Sequence, residues 1–126
     1  AASDVYKRQE GGFIQGMGWL TTEELVFDAD GRLLTHAPST YKIPTASDRP
    51  ARMKIELWAP GENVEPTIHR SKAVGEPPFM LANAVFCALT QAVAACAPGG
   101  GFPALDAPAT PERILAAIAA LRADHG

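Results

Sequence analysis

From Pro77 to Leu105 the chain carries no charged side chain. A run of that kind is expected either to cross a bilayer or to lie under other protein, because it carries no charge to hold it in water. Asn83, Thr90 and Gln91 interrupt it, alanine fills much of it, and it ends in "APGGGFP", which favours a core element over a membrane span. We read a helix from Pro78 to about Ala97, apolar on almost every face and therefore surrounded by protein. With 47% hydrophobic residues the chain can contribute to such a core.

The remaining elements follow from periodicity. Phe13, Ile14, Met17 and Leu20 or Trp19 recur at three- and four-residue steps, predicting a helix from Glu10 to about Thr22. Gly16 and Gly18 each weaken that helix by about 1 kcal/mol relative to alanine, so close approach of another helix or of a cofactor is expected there. "EELVFDADGRLLTH" alternates and breaks at Asp30-Gly31, predicting a β-hairpin with strands near 23–28 and 32–36. "APSTYKIPTASDRP", with Pro38, Pro44 and Pro50, reads as an extended connection anchored by Tyr41 and Ile43. "RMKIELWA" sets Met53, Ile55 and Leu57 against Lys54, Glu56 and Trp58, the alternation of a further, half-buried strand. "PGENVEPT" is a loop. A last helix starts at Pro111, with Thr110 as cap, Glu112 in its first turn and an apolar stripe of Ile114, Leu115, Ile118 and Leu121.

The fold class expected is therefore α+β, with a β-hairpin, a further strand and about three helices. The opening "AASDVYKRQ" is polar and aperiodic, and "DVYKRQ" resembles a translated sequencing adapter. Residues 1–9 read as a non-native leader, and residues 10–126 as the C-terminal segment of a domain.

Several function classes are excluded or weakened. The net charge of -3, with both signs interspersed, offers no basic face for nucleic acid and no polybasic patch for a membrane. Cys87 and Cys96 would point to opposite sides of one helix, no CxxC occurs, and His36, His69 and His125 are scattered, so neither a disulfide nor a protein-held metal is expected. A reducing cytoplasm is the natural setting. Ser39 and Ser71 have no histidine at a recognisable spacing, which disfavours a hydrolase. "GGG" at 99–101 follows a helix and terminates it. Glu23 and Glu24, as strand neighbours, point to opposite faces and do not act jointly.

One carboxylate stands apart. In "SKAVGEPPFM", Glu76 lies between Gly75 and two prolines, at the start of the charge-free run. Pro77 is expected to hold Glu76 extended and Pro78 to begin the helix, placing the carboxylate beside unpaired backbone N–H groups and within reach of Lys72. Partly buried there, it would suit a general base; the plain alternative is a charge that only caps the helix. Gly75 leaves room for something to approach the backbone beside the acid.

"EGGFIQGMGWLTTEEL", "GRLLTHAPSTYKIP", "SKAVGEPPF" and "PATPERI", in this order and spacing, resemble the C-terminal part of the molybdenum-binding subunit of the molybdenum hydroxylase family. The resemblance spans residues 10–122. It implies a fragment of a molybdenum-cofactor-binding domain in which Glu76 takes a proton from a water-derived oxygen as that oxygen attacks an electron-poor purine carbon. It also implies a molybdenum–molybdopterin cofactor held by a pterin dithiolene, with iron–sulfur clusters and FAD on other parts of the enzyme. Gly75 and Val74 are then candidates for lining the cofactor pocket, while packing the loop is their plainer role. The partners implied are a purine, the rest of the molybdenum subunit and the iron–sulfur/flavin part. In one respect the chain departs from the family: the glutamine that contacts the cofactor stands two residues before the "EGGF" glutamate, where this chain has Arg8, with Gln9 one place late. An aldehyde-oxidising member of the family and a non-catalytic assembly domain are the alternative readings.

Overall fold

A computed structural model describes residues 2–56, 61, 63–70, 72–73, 75–96 and 101–123, with side chains from Lys7 onward. Four helices occur among them: α1 (Ala2–Thr21), α2 (Pro77–Leu81), α3 (Asn83–Ala94) and α4 (Pro111–Ala123). Short 3₁₀ turns occupy Ala46–Asp48 and Ile68–Arg70. The periodic segment from Glu10 is the C-terminal half of α1, and residues 2–9 continue the same helix on its N-terminal side.

The glycines of α1 are explained by what touches them. A Cβ on Gly16 would stand 2.8 Å from both the Ala82 Cβ and the Phe79 carbonyl oxygen, and one on Gly12 would stand 2.9 Å from the Pro78 Cβ. The absence of these methyl groups lets α2 lie against the α1 backbone. Gly18 is closed in by Glu23 and Pro44, whereas Gly11 faces open space. Trp19 adds an aromatic contact with Phe79, with ring centroids 5.0 Å apart and planes tilted by 54°.

The expected single helix from Pro78 to Ala97 is instead two helices joined at Ala82. The Ala82 N–H bonds to the Phe79 carbonyl at 3.1 Å, and the Val85 N–H to the Ala82 carbonyl at 2.9 Å. Such three-residue closures tighten the chain locally. Ala82 at the junction is fully buried against Gly16, and α3 packs against α4. Composition could not show this, because alanine suits helix and junction alike.

Val93, Leu105, Ala109, Ala117 and Leu121 form the buried core, with Phe86, Leu89, Ile114 and Ile118 packed around it. Thr110 caps α4: its Oγ1 accepts the Arg113 N–H at 3.4 Å and its carbonyl the Ile114 N–H at 2.9 Å. The buried stripe of α4 is 114, 117, 118 and 121, and Leu115, expected on it, is 68% exposed. Steps of three and four from Ile114 reach Ala117 and Ile118, leaving Leu115 a further 100° around the helix.

The β part of the expected α+β fold is corrected. No strand forms among the described residues, and the hairpin is reduced to one antiparallel bridge between Phe27 and Leu33. The turn itself is where the sequence places it. Asp28 Oδ1 accepts the N–H groups of Asp30 (2.9 Å) and Arg32 (2.8 Å), and Gly31 adopts φ 78°. Beyond the turn the arms lack a covering layer, with Leu25, Phe27 and Leu34 exposed. Residues 53–56 show the expected alternation of half-buried Met53 and Ile55 with exposed Lys54 and Glu56, yet form no ladder. A strand needs a backbone partner as well as an amphipathic pattern, and no described segment pairs with it. Leu57 and Trp58 lie outside the described residues.

Candidate functional site around Glu76

Glu76 is the N-cap residue of α2, followed by Pro77 and buried Pro78 in the first turn. Its backbone is not extended as the following proline suggested: φ is -95° and ψ -25°. The cause is local, since the Glu76 carbonyl accepts the Phe79 N–H at 2.9 Å, closing the first turn. That bond is gained only by bringing Glu76 into the helical basin, against the preference of a residue preceding proline.

Glu76 makes no side-chain capping hydrogen bond. It is also exposed within this chain, where partial burial was expected. Lys72 is exposed too, and no ion pair among the described residues joins it to Glu76. Gly75 has open space on the side where a Cβ would stand. Val74 lies outside the described residues. The Glu76 backbone is thus held from below, by Pro78 and Phe79 against α1, and its side chain is exposed.

Other polar side chains gather elsewhere. Gln9, Phe13, Arg52, Lys54, Glu56 and Leu81 share an open depression of about 770 Å³. A smaller one of about 340 Å³ lies over Leu25, His36, Tyr41 and Ile43. Glu76 lines neither. Gln15 is exposed on α1. Among the described residues no group of three His, Cys, Asp or Glu side chains could hold a metal, and both cysteines are free thiols.

Two pairings were not anticipated. The Tyr41 hydroxyl donates to Glu23 Oε2 at 2.5 Å, and this hydrogen bond, followed by desolvation and the nearby negative charge, raises the Tyr41 pKa above its ordinary value. Arg113 Nη2 reaches Glu24 Oε1 at 2.7 Å. The two carboxylates take different partners, although no strand forms at 23–24 as the sequence suggests. What the sequence lacked was any sign of their partners, which lie far away along the chain.

At Gly75–Glu76 an exposed carboxylate thus stands beside a glycine with open space over it. The model of the molybdopterin cofactor-binding domain matches residues 4–50, beginning within the first nine residues. Rice xanthine dehydrogenase is 47% identical over 116 residues, covering 83% of this chain. The chain belongs to the molybdenum-binding region of the xanthine dehydrogenase family. Xanthine dehydrogenase 1 of Arabidopsis thaliana is also 47% identical, and the xanthine dehydrogenase/oxidase of Rattus norvegicus 44%, each match covering 83% of this chain. The chain spans only 8% of the length of these family members.

Proposed function

We propose that this stretch is the C-terminal segment of the molybdenum-cofactor domain of a cytoplasmic xanthine dehydrogenase, acting on purines, and that Glu76 is its general base. The molybdenum–molybdopterin group, when bound, supplies the oxidising centre that accepts two electrons, held by its own dithiolene sulfurs. Gly75 and Val74 would line its pocket, and Glu76 would accept a proton from the water-derived oxygen that becomes bonded to the purine carbon. Iron–sulfur clusters and FAD on other parts of the enzyme would carry the electrons away.

The observation that carries this reading is a carboxylate with a fixed backbone and a free head. Pro77, Pro78 and the closed first turn hold the Glu76 main chain, while its carboxylate makes no capping hydrogen bond. A capping charge has no need of such rigidity, whereas a proton acceptor gains from it, because efficiency depends on reach and orientation. Exposure within this chain is what a residue facing the rest of a larger subunit would show.

The test is turnover of xanthine by the intact enzyme with and without Glu76→Gln. Loss of turnover supports the base. Unchanged turnover favours an assembly role for this segment, and oxidation of aldehydes but not purines by the unaltered enzyme points to an aldehyde-oxidising relative.

A further inference from the structure

Gly16 of α1 stands against the backbone that carries Glu76. A Cβ there would meet the Phe79 carbonyl oxygen at 2.8 Å, the Ala82 Cβ at 2.8 Å and the Phe79 Cα at 3.2 Å. Two of these three atoms are main chain and the third is a methyl group with no rotamer, so none can swing aside. One turn earlier, Gly12 faces the Pro78 Cβ at 2.9 Å and the edge of the Phe79 ring at 3.2 Å. Phe79 in turn donates its N–H to the Glu76 carbonyl at 2.9 Å, and two prolines stiffen the link between them. Any displacement of α2 away from α1 therefore moves Glu76 with it.

We infer that Gly16, with Gly12 beside it, is a positioning residue for Glu76: the missing side chains set how close α2 sits to α1, and so where the carboxylate is held. This rests on Glu76 being the base. Both glycines are buried against Pro78, Phe79 and Ala82. A methyl group at Gly16 must push the Phe79 backbone outward by several tenths of an ångström to reach ordinary contact, and misplacement on that scale depresses the rate without preventing substrate from binding.

The experiment compares Gly16→Ala with Gly11→Ala in the intact holoenzyme. Gly11 lies on the same helix with nothing within 4 Å of an added Cβ, so both variants make the same change in helix propensity. Gly16→Ala is expected to lower kcat about 10- to 100-fold with KM changed less than about threefold and molybdenum content retained. Its crystal structure is expected to show Glu76 displaced relative to α1. Gly11→Ala should leave kcat, KM and the Glu76 position as they are. If Gly16→Ala gives no soluble holoenzyme, Gly12→Ala, whose added methyl meets the Pro78 Cβ and the edge of the Phe79 ring, must show the same split. Unshifted Glu76 and unchanged kcat in the folded variant would overturn the inference. A displaced Glu76 with unchanged kcat would instead leave the packing correct and refute Glu76 as the base.

Discussion

Tyr41 donates its hydroxyl hydrogen to Glu23, a buried carboxylate placed just past the end of α1. The same end holds the 41–44 segment at two further points: Thr22 Oγ1 donates to the Lys42 carbonyl at 2.8 Å, and Pro44 packs on Gly18. The irregular proline-containing connection is therefore tied to α1 by side chains instead of by a ladder.

Removing that tie should cost stability. Tyr41→Phe leaves Glu23 without its donor, and we expect a loss of about 1–3 kcal/mol in the intact protein, read as a lowered urea midpoint. The raised Tyr41 pKa fixes the sign with pH. A group whose folded pKa lies above its unfolded value contributes stability fully present below the unfolded pKa of about 10 and lost as pH rises through the folded pKa. Wild type should thus lose stability above about pH 10 more steeply than Tyr41→Phe; parallel curves would count against the tie.

The core gives a second test. Leu121 is buried among Val93, Leu105, Ala109 and Ala117, so Leu121→Ala should destabilise by about 2–5 kcal/mol. Leu115→Ala, one helix face away and 68% exposed, should change stability by less than about 0.5 kcal/mol. Equal effects would mean that α4 turns a different face inward.

Capping of α4 is measurable in the same way. Thr110→Ala removes the Oγ1 acceptor of the Arg113 N–H and should cost about 1 kcal/mol in chemical denaturation, with Thr110→Ser restoring most of it.

The chain by itself should behave as an incomplete body. It exposes 9252 Å², against roughly 6,500 Å² expected for a compact monomer of its mass. Met80, Leu81, Val64, Ile68 and Phe102 are among the large apolar side chains left open. The Pro77–Ala94 stretch is long and apolar enough to cross a membrane by length and composition, and only 17% of it is buried. Expressed alone, the chain is expected to bind a hydrophobic dye and to associate on size exclusion. A monodisperse product with a cooperative melt would contradict this.

What could be read from the sequence was local. Thr110 and Pro111 announced the start of α4, Asp30-Gly31 the turn, and Gly16 a close approach, because each depends on the stereochemistry of a few neighbouring residues. What failed depended on partners. The alternation of Met53 to Glu56 describes a half-buried segment truthfully, but a strand exists only beside another strand. Glu76 was found from its prolines, yet its backbone conformation was misjudged, since the hydrogen bond from Phe79 outweighs the preference of the residue before proline. The Glu23–Tyr41 and Glu24–Arg113 pairs span gaps that no spacing rule covers.

The decisive measurement is steady-state turnover of xanthine by the intact Glu76→Gln enzyme at matched molybdenum content. Glutamine keeps the size and exposure of the side chain but cannot accept the proton. A fall in kcat of about 100-fold or more, with the metal retained, is the predicted result. A kcat within about threefold of wild type at full molybdenum loading would contradict it.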